Sequence, residues 1–194
     1  MTDSAQSRTL TIPACDGFLL SASCFGPDRP DTVLVVAPAT GVRRSLYRRM
    51  AEHLGQRGFA VITFDYRGTG GSRPDSLRGF EASMVDWAVE DLGGVIEWSS
   101  DRFPKAGRVV LGHSYGGCAV GLAPNAGLLD ALVAIASPNA YWGYWPFPQR
   151  YGYAALWYAG MPALAHLCGY FPGRALGLGE DLPLGVALQW ARWS

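Results

Sequence analysis

Ser114 is the residue around which chemistry could be built. It sits in Gly112-His113-Ser114-Tyr115-Gly116, a G-x-S-x-G pentapeptide. The apolar, β-branched run Arg108-Val-Val-Leu111 precedes it, and the small residues Gly117-Cys-Ala-Val-Gly121 follow it. That is a strand, a sharp turn and a helix, the setting in which a serine can serve as a nucleophile. A serine hydroxyl attacks a carbonyl poorly unless it is held bare and aimed at a base. A tight turn at a strand's carboxyl end does this, provided Gly112 and Gly116 let strand and helix pass close by. The helix would turn its positive end toward the site. The Tyr115 N–H would then lie where an oxyanion forms.

A second oxyanion donor is needed from the loop after an earlier strand. That loop is Ala37-Pro38-Ala39-Thr40-Gly41-Val42. Pro38 has no N–H, so Ala39 or Thr40 must donate, and distance from the strand favours Ala39. The base and the acid that orients it are harder to find. Only His166 follows Ser114, in Ala-Leu-Ala-His-Leu rather than after a late strand. His113 is turned away from its neighbour by the geometry of the bend, and is expected to pack beneath the sheet. His53 falls inside a helix. Asp130 precedes a strand, and Glu180 and Asp181 lie in a distant loop. The expectation is of a chain that stops before the last strands, with neither acid nor base at Ser114. Such a site keeps only what an oxyanion hole and binding supply. The chemistry calls for no cofactor and no metal.

The elements that would position Ser114 alternate. Thr9–Pro13 and Phe18–Phe25 flank Asp16-Gly17 and read as an N-terminal hairpin. Thr32–Ala37, Phe59–Phe64 and Ala131–Ala136 are apolar runs of the kind buried on both faces of a parallel sheet. Helices are predicted over 45–57, with Leu46, Met50 and Leu54 inward, and over 83–99, with Val85, Val89, Leu92 and Ile96 inward. Strands alternating with helices make a mostly parallel sheet with right-handed crossovers and helices on both faces. Asp65-Tyr-Arg-Gly-Thr-Gly-Gly-Ser72 is glycine-rich but has no P-loop spacing, and reads as a structural turn tied by Asp65 and Arg67.

From Pro138 the character changes. Nine aromatic residues between Tyr141 and Tyr158 crowd a stretch broken by proline and glycine. Met161–Leu167 and Val186–Trp193 read as helices, and 169–173 and 177–183 as loops. The division expected is a core over residues 1–137 and an aromatic-rich helical cap, or lid, over residues 138–194.

Composition sets bounds. The 194 residues are 49% hydrophobic and 16% charged with zero formal net charge, a globular chain without a basic stripe for nucleic acid. Cys15, Cys24, Cys118 and Cys168 lack metal spacing and read as free buried thiols in a reducing compartment. The polar residues 1–9, with Asp3 and Arg8, do not look like a secretory signal, and no apolar run is long enough for a membrane span. These readings place the chain in the cytoplasm.

The whole chain resembles the α/β-hydrolases, in particular a bacterial group near the serine aminopeptidase and monoacylglycerol lipase branch. The resemblance rests on Ala39-Thr-Gly-Val42, Tyr47-Arg-Arg-Met-Ala51, Phe64-Asp-Tyr-Arg-Gly68, Gly112-His-Ser-Tyr-Gly-Gly117, Gly169-Tyr-Phe-Pro-Gly-Arg174 and Gly179-Glu-Asp-Leu-Pro-Leu-Gly-Val186. It implies the α/β-hydrolase fold, with Ser114 as nucleophile and Tyr115 and Ala39 as oxyanion donors. The expected activity is hydrolysis of an ester, thioester or amide in a small acyl substrate. Two other readings are open: a non-catalytic interaction protein on the same scaffold, and a membrane-surface lipase. The third is weakened because Met161–Leu178 lacks a basic polar face. Oligomeric state is not legible.

Overall fold

The structure, a computed structural model, describes residues 7–194, so the stretch around Asp3 lies outside the described residues. The hairpin forms as its turn demands: β1 (Arg8–Pro13) pairs antiparallel with β2 (Leu19–Phe25) around Asp16-Gly17. Asp16 Oδ1 accepts the Phe18 N–H at 3.1 Å, the self-closing bond for which aspartate is favoured in turns. β3 (Thr32–Ala37) follows, then one 3₁₀ turn (Arg44–Tyr47) running into α1 (Arg48–Gly55), and β4 (Ala60–Phe64).

The next helical stretch is continuous but not uniform. α2 (Met84–Asp86) passes through a wide π turn (Trp87–Leu92) into α3 (Gly93–Arg102). Ser83 opens it with a reciprocal capping box to Asp86. β5 (Gly107–His113), α4 (Tyr115–Ala119) and β6 (Ala131–Ile135) complete the sheet, whose order is β1-β2-β4-β3-β5-β6. β4, β3, β5 and β6 run parallel. β3 and β4 are buried almost throughout, as apolar runs covered by helices on both faces require.

β6 differs. All five of its residues are exposed, with Leu132 at 44%, Val133 at 47% and Ile135 at 45% on opposite faces. Among the described residues it is an edge strand, and it carries apolar side chains on both sides.

Residues 138–194 form α5 (Gln149–Ala155), a second wide turn (Leu156–Gly160), α6 (Met161–Cys168), β7 (Tyr170–Phe171), β8 (Leu182–Pro183) and α7 (Leu184–Trp193). The sequence reading of 169–173 and 177–183 as loops alone is corrected by a two-residue antiparallel ladder, Tyr170 opposite Pro183 and Phe171 opposite Leu182. Met161, Ala165, Phe171, Leu182, Val186, Ala187 and Ala191 belong to the same buried cluster as Ile12, Val35, Ile62, Trp87 and Val110. The aromatic run before α6 stays at the surface, with Tyr144 and Phe147 more than 70% exposed. Among the described residues no helix is long and apolar enough to cross a membrane.

Two helix faces are corrected in part. Leu46 is exposed, whereas Met50 and Leu54 pack half-buried against the core, and the buried residues of the 3₁₀ turn and α1 are Tyr47, Ala51 and Gly55. Val85 is exposed too, and the buried line runs through Met84, Trp87, Ala88, Asp91 and Leu92. The extra residue of the π turn rotates the first half of the stretch by about 100° against the second, so a stripe drawn at constant pitch fits only Leu92 and Ile96. The four cysteines are free, but only Cys24 is buried; Cys15 and Cys118 face solvent.

Candidate functional site

Ser114 lies between β5 and α4 with φ 52° and ψ −119°, a left-handed conformation that non-glycine residues rarely hold. Its backbone is fixed from two sides. The Ser114 N–H donates to the Ile135 carbonyl at 2.9 Å, and the Ser114 carbonyl accepts the Gly117 N–H at 3.1 Å. The side chain is half-buried and makes no capping bond to α4. The turn exists only because the crossing is made of glycine. A Cβ at Gly116 would stand 2.1 Å from the Ala37 carbonyl oxygen, and one at Gly112 would stand 2.4 Å from the Gly117 backbone. The end of β3 therefore abuts α4, bringing residues 37–40 beside the Ser114 turn.

Tyr115 is buried. Its side chain runs away from the turn to pack edge-on and tilted against Tyr66 and Trp87, and its hydroxyl donates to the Met84 carbonyl. Among the described residues its N–H has no protein acceptor.

Ala39 is placed beside the site, but its N–H is engaged. It donates to the Tyr47 hydroxyl at 3.1 Å. That hydroxyl in turn meets His113 Nδ1 at 2.9 Å. Burial pushes the Tyr47 phenol up from its ordinary value, so it stays protonated. It accepts from Ala39 and shares a hydrogen bond with His113 Nδ1 whose direction follows the ring's tautomer. The Thr40 N–H, next in the loop, has no protein acceptor among the described residues. His113 is thus turned toward Tyr47, a buried residue of the 3₁₀ turn before α1, and makes no hydrogen bond to Ser114.

None of the three histidines hydrogen-bonds to Ser114 among the described residues. His53 meets Arg57 along α1, and His166 lies within α6. Asp130 accepts the Arg108 N–H at 2.7 Å, at the opposite end of β5. Glu180 and Asp181 are both buried and bound to arginines. No cluster of three or more His, Cys, Asp or Glu side chains could share a metal among the described residues.

The Asp65–Ser72 loop is a brace. Asp65 accepts the Arg44 and Gly71 N–H groups at 2.7 and 2.9 Å. Arg67 is forked between Asp91 and Asp16, with four N–H···O bonds of 2.6 to 2.8 Å including its own backbone. Three features had no sequence signal: Ala136, at φ 45° beside Ser114; the Tyr47 hydroxyl bridge; and the grip of Glu180. Each is a long-range contact or a backbone state that residue type does not announce.

A mostly parallel sheet with the bend after β5 defines the class as α/β-hydrolase. The family model of serine aminopeptidase, S33, matches residues 28–160, and the chain belongs to that family. Solved structures share the fold. A highly thermostable carboxyl esterase from Bacillus coagulans aligns at TM-score 0.61 and 20% identity, over 83% of this chain and 54% of that one. An esterase from Pyrococcus furiosus aligns at 0.60 and 19%, over 84% and 56%. A serine hydrolase without a lid from Xanthomonas campestris aligns at 0.56 and 22%, over 74% and 65%. The chain thus spans between about half and two thirds of the length of these proteins.

Proposed function

We propose that the protein is a serine hydrolase acting on an ester, thioester or amide through an acyl-enzyme on Ser114. The observation that carries this is the strained backbone of Ser114 at the strand-to-helix bend; strain of this kind costs about 1–3 kcal/mol and persists where a site requires it. Ser114 Oγ attacks the carbonyl carbon and gives up its proton to a base. The resulting oxyanion is held by the Tyr115 N–H and by the 39–40 loop. The sequence points to Ala39 as that second donor; with the Ala39 N–H spent on Tyr47, Thr40 takes the role. The intermediate collapses as the leaving group departs with the proton, and water then cleaves the acyl-serine. The base is not assigned to any of the three histidines. The aromatic surface of residues 141–158 fits a lid and an apolar acyl group, and four free thiols fit a cytoplasmic location.

The test is a fluorophosphonate probe on the full-length natural protein. A covalent adduct on Ser114, lost in Ser114→Ala, is expected. A folded protein without that adduct overturns the reading. A second reading, a non-catalytic interaction protein, is favoured by the uncovered β6 and by the absence of a histidine at Ser114 among the described residues. Sedimentation separates them: a monomer that binds no hydrophobic dye removes the second.

A further inference from the structure

We propose that Glu180 is a positioning residue for the Ser114 site: it fixes the turn that presents the Thr40 N–H. This rests on the hydrolase reading above and adds to it the group that holds the second donor in place.

The turn is Ala39–Val42. The Val42 N–H closes it on the Ala39 carbonyl at 3.2 Å, and Gly41 takes φ 70° as its third residue. Two of its groups are held from outside. Tyr47 takes the Ala39 N–H, as described. The Gly41 carbonyl accepts the Glu180 N–H at 2.9 Å. The same residue's carboxylate grips the flank of the turn, with Oε1 2.7 Å from Arg43 Nε. Backbone and side chain of one residue therefore hold both ends of the Gly41–Arg43 segment.

The carboxylate is itself over-determined. Arg174 donates to Oε1 at 3.2 Å and to Oε2 at 2.6 Å, and the Gly70 N–H donates to Oε2 at 3.3 Å. Asp181 beside it accepts the Arg174 N–H at 3.0 Å and pairs with Arg73 at 2.8 Å. With 7% of its surface exposed and both oxygens occupied by arginines, Glu180 has no room to orient a histidine. What it does is tie three loops together: the Ala39–Val42 turn, the brace at Gly70, and its own segment at Arg174. A hydrogen-bond donor stabilises a developing oxyanion only if it is fixed before the reaction begins. Freed from Glu180, the Thr40–Gly41 peptide can rotate about Gly41, and the donor must then be reorganised at each turnover.

The experiment uses the full-length protein with two variants, Glu180→Gln and Arg43→Gln. The second removes the ion pair from its more exposed side, and serves if the first folds poorly. Four quantities are read: amide hydrogen exchange at Val42, the limiting rate of Ser114 phosphonylation, its half-saturation concentration, and the melting temperature. Both variants are expected to speed Val42 exchange by roughly tenfold. Glu180→Gln is expected to lower the limiting rate by about tenfold while leaving half-saturation unchanged. Unchanged Val42 exchange overturns the proposal. So does a rate loss that appears only in half-saturation, or only in proportion to lost melting temperature. Failure of the hydrolase reading looks different: Ser114 of the unaltered protein stays unlabelled, whatever Val42 does.

Discussion

Gly116→Ala is the sharpest perturbation of the bend. The new methyl carbon would lie 2.1 Å from the Ala37 carbonyl oxygen, 2.6 Å from the Ala37 carbonyl carbon and 2.9 Å from the Pro38 oxygen. A carbon–oxygen contact settles at about 3.3–3.6 Å, so the gap must open by more than about 1 Å. No flexible side chain can yield, because every atom met is backbone. α4 must lift off β3, and Ser114 moves with it. Overpacking costs about 1–3 kcal/mol where side chains can adjust, so about 3 kcal/mol is expected where none can. At about 2–4 °C per kcal/mol for a domain of this size, the melting temperature falls by roughly 6–12 °C. A displacement of about 1 Å in the reacting group also costs about 100-fold in Ser114 labelling rate. Gly127→Ala is the control, because a Cβ there meets nothing within 4 Å. It is expected to stay within about 0.5 kcal/mol of the parent. Scanning calorimetry and probe kinetics on both variants check this. A Gly116→Ala protein that melts with Gly127→Ala and labels at the parent rate refutes the close crossing on which the site depends.

Ser114→Gly is expected to raise stability by about 1–2 kcal/mol while abolishing labelling, since glycine holds φ 52° without penalty. A drop in melting temperature contradicts the strain. Acid should loosen the 170–183 segment. Burial pushes the Glu180 carboxyl up, but the bonds from Arg174 and Arg43 outweigh it and hold it below the usual carboxylate range. The folded state therefore binds this proton more weakly than the unfolded chain. Its stabilisation is complete above about pH 4.3 and is lost as pH falls through the lower folded value. Denaturant midpoints between pH 6 and pH 3 should show this limb, and Glu180→Gln should flatten it. An unflattened limb assigns the effect to other carboxylates.

Much of the sheet was legible because burial on both faces leaves a plain mark: Thr32–Ala37 and Phe59–Phe64 are unbroken apolar runs, and both form strands where expected. The bend at Ser114 was legible because glycine at 112 and 116 and serine at 114 have few joint explanations. What failed had local causes. The inward faces of the 45–57 and 83–99 helices were drawn at constant pitch, and a 3₁₀ turn and a π turn each changed the pitch. Between Ala39 and Thr40 the structure adds one thing the sequence could not, a hydrogen bond from the Ala39 N–H to Tyr47, eight residues away and invisible to a count of positions along the loop. Glu180 carried a charge in a loop, and nothing nearby in sequence said that Arg43 waits for it.

The wide turn at Trp87–Leu92 carries a cost for sequence change. At its first residue Trp87 donates to the Arg67 carbonyl, and further along it Asp91 takes the Arg67 guanidinium. Downstream, Gly94 lies against the Pro13–Ala14 backbone. Deleting one residue between these anchors would restore a regular helix and swing one set out of reach of the other. Substitutions should be tolerated along this stretch far more readily than any change in its number of residues. Among relatives, an insertion or deletion here should arrive only with a compensating one at the N-terminal hairpin or the Asp65–Ser72 loop.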